Sequence, residues 1–199
     1  MSTLVGHALA ATLATSAAGR EQVPRRGLLI ALAVMTAILP DLDIVFFLAL
    51  RPVGMVPHRG FSHTLLFAAG SATIMTLLVS RMVRIPVSRL CWVFALAAVS
   101  HPLLDYLMGA GPPVHFFVPL SDRGYLFPWR VLPIAFYGKT AGAYLGARFW
   151  ALNALAAGLE IVIFSPLVLF TTRSSPARTK ALALAVAICG VALTIRLYR

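Results

Sequence analysis

Val87-Ser88-Arg89-Leu90-Cys91-Trp92-Val93-Phe94-Ala95-Leu96-Ala97-Ala98-Val99-Ser100-His101-Pro102-Leu103-Leu104-Asp105-Tyr106-Leu107-Met108 is a run with two charges, one near each end. About 20 mostly apolar residues cross a bilayer as a helix, so this run predicts a membrane span. It also raises a question, because a carboxylate at mid-helix costs about 2.5–3.5 kcal/mol on insertion scales. Five further apolar runs stand beside it, at about residues 2–18, 27–50, 61–80, 141–170 and 180–197. Pro40 interrupts the run 27–50, and Pro166 falls near the end of the run 141–170. Residues 109–138 are too rich in proline and aromatic side chains for a regular span.

The whole chain shares this character. Of 199 residues, 60% are hydrophobic and 12% charged, with a mean hydropathy of +0.88. Soluble domains run roughly 45–50% apolar and about 25% charged, so a soluble globular protein is excluded, and a disordered chain more so. The expected fold is all-α: a polytopic bundle of five to six transmembrane helices forming one membrane domain over residues 1–199. Residues 1–135 carry the motifs described below, and residues 140–199 add two helices. The stretch Leu4 to Ala18 lacks a basic residue before it, so it reads as a retained helix rather than a signal peptide. Cys91 and Cys189 sit inside apolar runs, where a free thiol behaves as a small hydrophobe. Neither a disulfide nor a thiolate metal site is expected.

Lys and Arg number 17 against six Asp and Glu, a net charge of +11. In a soluble protein that balance would point to nucleic acid. Here nine of the 17 fall in the short linkers, as Arg20, Arg25 and Arg26, then Arg81, Arg84 and Arg89, then Arg173, Arg178 and Lys180, while four of the other eight lie in the segment around 123–148. Short basic loops set topology and meet anionic headgroups, so the expected partner is membrane lipid and not nucleic acid. The positive-inside rule places these linkers in the cytoplasm and both termini outside.

Most of the polar groups that remain in apolar surroundings fall at one end. His7 lies early in the first run, Asp41 and Asp43 late in the second, His58 and His63 at the start of the third, and His101 and Asp105 late in the fourth. Since the runs alternate in direction, these seven groups converge at the end away from the basic linkers. Imidazole and carboxylate without thiolate suit zinc, and also manganese or iron, so one or two divalent ions are expected. His101 and Asp105 are i and i+4 and share a helix face. Asp41 and Asp43 point apart in a regular helix, so one ligates and the other braces a neighbour, unless Pro40 turns both inward. His58 and His63 converge only if His58 precedes the helix. Other readings stand beside these: Asp105 paired with Arg59 or Arg130, Asp41 as a helix cap, and each histidine as an interfacial hydrogen bonder. His115, beside Phe116 and Phe117, reads equally as interfacial or functional. Glu160 reads as a partner of Arg148 or a polar contact in the bundle.

Leu39-Pro40-Asp41-Leu42-Asp43, His58-Arg59-Gly60-Phe61-Ser62-His63-Thr64 and Ser100-His101-Pro102-Leu103-Leu104-Asp105 resemble the signatures of the YdjM family, inner-membrane proteins described as predicted metal-dependent hydrolases. His7 after Gly6 matches that family's N-terminal Gly-His, and the segments 119–125 and 127–130 resemble its later part. The likeness covers about residues 6–135. The order of ligands is also similar to zinc-dependent phospholipase C and related nucleases. That resemblance makes Asp105 a bridge between two metals, with one of Asp41/Asp43 and one of His58/His63 on one ion and His7 on the other. The third-metal ligands of those enzymes have no counterpart after Asp105.

The expected activity is therefore metal-dependent hydrolysis of a phosphoester, small or lipid-linked, by a metal-activated water. Asp41 or Asp43 would act as general base. Arg59 and Arg130 would hold phosphate, since a guanidinium forks onto oxyanions, and the rival role for both is snorkelling to headgroups. The alternative to an enzyme is a structural metal site or an ion pathway.

Overall fold

The computed structural model describes residues 2–17, 25–44, 59–136, 145–172 and 176–198. Six α-helices follow in order: α1 (Leu4–Ala17), α2 (Arg26–Ile38), α3 (Leu65–Ser80), α4 (Val87–Leu107), α5 (Ala147–Thr172) and α6 (Ala177–Leu197). Two 3₁₀ turns, Leu39–Leu42 and Phe61–His63, stand between α2 and α3. Among the described residues the only strand-like pairing is an isolated antiparallel bridge, Val114 with Tyr125.

The breaks have local causes. Pro40 lacks an N–H and cannot continue the helical ladder, so regular α2 stops at Ile38 and the chain tightens into the Leu39–Leu42 turn. The expected continuation to Leu50 lies partly outside the described residues. The third run does not begin as an α-helix at Phe61. It makes a 3₁₀ turn, extends at Thr64 (φ −86°, ψ 157°), and enters α3 with the Thr64 side chain accepting from Phe67 N at 3.0 Å, an N-cap. α5 starts at Ala147 rather than near Ala141, after Gly146, and residues 141–144 lie outside the described residues. α6 starts three residues before the expected Lys180, directly after Pro176.

α1 sits centrally, against α2, α4 and α5, while α4 packs on α1, α2 and α3, and α6 leans on α5. Small residues line the α1–α4 contacts: Ala11, Ala33, Ala37, Ala68, Ala72, Ala97 and Ala98 surround Leu90, Val93 and Phe94. Small side chains let helix backbones approach closely. A second core joins α1 and α4 to α5 through Ala10, Leu104, Met108, Ile163 and Phe164. The outer faces carry large apolar side chains such as Leu66, Ile74, Trp92, Leu182 and Ile188. Cys91 and Cys189 are free and also lie on exposed faces of their helices.

This outward apolarity suits a bilayer and would be a liability in water. Three helices, Val87–Leu107, Ala147–Thr171 and Ala177–Leu197, are long and apolar enough to cross a membrane. The chain is thus a helical membrane protein. α1 and α3 are apolar but shorter, and 14 residues of α1 reach only about 21 Å of the about 30 Å hydrocarbon core.

Residues 109–136 fold back over one end of this unit. Val114 and Tyr125 exchange hydrogen bonds of 2.8 and 2.9 Å, Leu65 N donates to the Phe116 carbonyl at 2.9 Å, and Phe127 N donates to the Tyr106 carbonyl at 3.3 Å. Tyr106 meets Phe116 and Phe127 edge-on. Gly109 (φ +59°) turns the chain where a Cβ would strike the Trp129 carbonyl.

Candidate metal centre

The end covered by residues 109–136 gathers side chains from four elements. His7 comes from α1, Asp41 from the first 3₁₀ turn, His63 from the second, and His101 and Asp105 from the last two turns of α4. His7, His63, His101 and Asp105 are fully buried, and Asp41 and Asp43 nearly so. His7 stacks on His101 with ring centroids 3.9 Å apart, and His63 meets His101 edge-on at 4.7 Å.

Hydrogen bonds set which ring nitrogens carry protons. His101 Nδ1 lies 2.6 Å from the Ala37 carbonyl, in the last turn of α2, where carbonyls must find partners outside the helix. A carbonyl only accepts, so Nδ1 donates, and the neutral ring leaves Nε2 as a bare lone pair. At His63, the Ser62 hydroxyl donates to Asp43 Oδ2 at 3.0 Å and so must accept from His63 Nδ1, 3.0 Å away. Its Nε2 is bare too. The two Nε2 atoms face each other at 3.1 Å. With both rings neutral, two lone pairs at that separation repel unless they share a proton or a metal ion.

Carboxylates complete the surroundings. Asp41 Oδ1 is 3.4 Å from His101 Nε2 and 3.7 Å from His63 Nε2, and Asp41 Oδ2 is 3.9 Å from His7 Nε2. Asp105 lies 3.5 Å from His63 Nε2 and 4.0 Å from His7 Nε2. Both Asp41 oxygens and both His7 ring nitrogens are buried and make no hydrogen bond. Buried polar atoms are nearly always satisfied, so these four mark a place built for something else. Ligands about 2.0–2.2 Å from a zinc ion lie at most about 4.4 Å apart, and every separation above is within that. Two ligand triads result, His7/Asp41/His101 and His63/His101/Asp105. The residues therefore fit a divalent ion. His101 Nε2 belongs to both triads and has one lone pair, so the triads overlap on a single position.

The other predicted residues fall into place around this group. Asp43 braces: Oδ2 accepts from Ser62 Oγ and, at 3.3 Å, from Arg59 N, and it lies 3.5 Å from His63 Nδ1. Arg59 is buried and its Nε donates to Asp105 Oδ2 at 2.9 Å, the pairing weighed above. Its Nη1 reaches the carbonyls of Ala110 and Pro112, while Nη2 is buried without a hydrogen bond. Its φ of +67° is a left-handed conformation that costs a bulky residue about 1–3 kcal/mol. Arg130 is elsewhere: exposed, with Nη1 donating to the Tyr198 carbonyl at 2.9 Å. His115 bonds the Asp122 carbonyl at 2.9 Å within the covering segment. His58 lies outside the described residues.

Ser2, Thr3 and Glu160 escaped the sequence reading as neighbours of this centre. Ser2 N donates to Asp105 Oδ1 at 3.0 Å. Glu160 accepts from Ser2, Thr3 and Gly6, and not from Arg148. A Ser-Thr pair just before an apolar run is an N-cap signal, and Thr3 Oγ1 does accept from Val5 N at 3.1 Å. Nothing in the sequence points from there to Asp105.

Comparison with known proteins agrees with the membrane setting. The family model described as YdjM inner membrane protein matches residues 1–198. The inner membrane protein YbcI of Escherichia coli (strain K12) is 32% identical over 137 residues, covering 68% of this chain and 78% of that protein. No solved structure matches the chain.

Proposed function

The chain belongs to the YdjM family of inner membrane proteins, and on that premise we propose that its histidine–aspartate centre is a divalent-metal site for phosphoester hydrolysis. The observation that carries the reading is the set of buried ligand atoms facing one another, with both Asp41 oxygens and both His7 ring nitrogens lacking a hydrogen bond beside the 3.1 Å contact of His63 and His101 Nε2. His101, common to both triads, would hold the ion either with His7 and Asp41 or with His63 and Asp105, zinc before manganese or iron on donor chemistry. A divalent ion at this place supplies Lewis-acid polarisation and makes a coordinated water acidic enough to react near neutral pH. Asp43, which bonds Ser62 and adjoins His63, is the carboxylate left for proton transfer. Arg59 Nη2 is the donor left for a phosphoryl oxygen. Arg130, beside the exposed Trp129, suits headgroup contact. The bundle has five to six spans, with the centre at the non-cytoplasmic face and a small-molecule or lipid-linked phosphoester as substrate. Cysteine labelling that puts residues 81–89 outside would reverse that orientation and leave the shared end intact.

One observation favours a structural ion instead: His7, His63, His101 and Asp105 are all fully buried, and structural sites are closed. The two readings part in one experiment. The purified protein, loaded with zinc or manganese, is assayed against chromogenic phosphomonoesters and phosphodiesters and against phospholipid vesicles. Phosphoester cleavage that is lost on chelation and in His101→Ala supports the hydrolase. Tight metal binding with no turnover of any of these supports the structural ion. Metal content below about a tenth of an equivalent removes both.

A further inference from the structure

We infer that Glu160 in α5 is a positioning residue for the metal centre, acting through Ser2 and Thr3 on Asp105 and His7. This rests on reading the cluster as a metal centre, and it gives the last two helices a part in it. Glu160 is fully buried. Oε1 accepts from the Ser2 hydroxyl and from Thr3 N at 2.9 Å, and Oε2 accepts from the Thr3 hydroxyl and from Gly6 N at 3.0 Å. Those four donors match the roughly four lone-pair sites of a carboxylate.

Two of the residues so gripped, Ser2 and Thr3, are each one hydrogen bond from the cluster. Ser2 N donates to Asp105 Oδ1 at 3.0 Å, and the Thr3 carbonyl accepts from His7 N at 3.2 Å. Gly6 precedes His7, and a Cβ there would lie 2.6 Å from Glu160 Oε1, so glycine is what admits the carboxylate. With Arg59 on Oδ2, Ser2 on Oδ1 fixes the plane of the Asp105 carboxylate. Glu160 thus sets the aim of two cluster residues without touching either.

Glu160→Gln keeps the shape but turns one acceptor oxygen into an amide donor facing other donors. Zinc affinity of the full chain in detergent, measured by competition with a chromophoric chelator, is expected to fall about tenfold or more, the range seen when the support behind a ligand is lost. Ile163→Ala is the control, because Ile163 lies in the same buried core as Ala10 and makes none of the hydrogen bonds to Glu160. It should lower the melting temperature and leave zinc affinity within about twofold, well inside that loss. Gly6→Ala should act like Glu160→Gln, and Thr3→Val, which deletes one donor, should act in the same direction more weakly. These two serve if Glu160→Gln does not fold. Wild-type affinity in the variants, or an equal loss in Ile163→Ala, overturns the inference. A second readout is independent of metal: in metal-free protein with labelled histidines, the His7 ring signals should move in Glu160→Gln (or in Gly6→Ala) while those of His115 do not. Unmoved His7 signals overturn the inference, whereas absence of zinc binding by the wild type falls on the metal-centre reading alone.

Discussion

The two ends of the α1–α4 unit are built by opposite means. Toward the start of α2 and α4, contacts run through Leu29, Val79, Ile85, Leu90 and layers of alanine. Toward the other end, three imidazoles, three carboxylates and Arg59 occupy the interior. The apolar end needs only shape, so its residues are exchangeable where volume is kept. At the polar end each atom depends on a named partner, and removing one strands another. The first end makes the second feasible: alanine layers bring the helices close enough for side chains of four elements to meet within 3–4 Å.

The largest break in this contrast should come from Asp105→Asn. It leaves the Arg59 guanidinium buried without its counter-charge, a loss of about 3–5 kcal/mol in reversible denaturation in detergent. Adding Arg59→Leu should recover part of that stability. If metal content also drops, Asp105 contributes to the ion. Stability lost with metal stoichiometry unchanged assigns it to the Arg59 pair and removes the bridging role that the resemblance implies.

Asp43→Asn should be smaller and of a different kind, weakening metal binding about 10–100-fold through the loosened His63 ring while leaving the fold near wild-type stability. Chelator competition measures it, and an unchanged affinity would take Asp43 out of the support for His63. At the apolar end, Ala33→Leu overpacks a fully buried position and should cost about 1–3 kcal/mol with metal content intact. Metal loss there would show that the two ends are not separable. The smallest effect is expected for Thr64→Ala, which removes the α3 cap for about 1 kcal/mol, read as a lowered melting temperature.

Much of the centre was legible in the sequence, because a polar residue inside an apolar run is costly and therefore informative. His7, Asp41, Asp43, His58, His63, His101 and Asp105 stood out together as polar groups in apolar runs that converge at one end. The division of work between Asp41 and Asp43 was not legible, since it depends on the pitch of the 3₁₀ turn after Pro40 rather than on spacing along a regular helix. Arg59 was named as a candidate, but whether it faces substrate or Asp105 is set by the left-handed turn it occupies. The bond between Ser2 and Glu160 joins positions 158 apart, and helical periodicity carries no information at that range. The count of spans was only partly readable for a related reason: hydropathy registers a run of apolar residues but not that α2 ends at Ile38.

The Arg59–Asp105 contact at 2.9 Å also decides which ions the centre can balance. With the imidazoles neutral, and with Glu160 set apart behind its own four donors, the three carboxylates nearest the rings, Asp41, Asp43 and Asp105, face one guanidinium, which leaves two negative charges. A doubly charged cation balances them. A singly charged ion leaves one negative charge over, and a triply charged one leaves an excess positive charge, each expensive in a medium of low polarisability. For the proposed metal site, charge balance thus favours a doubly charged ion before coordination geometry discriminates among ions of that charge.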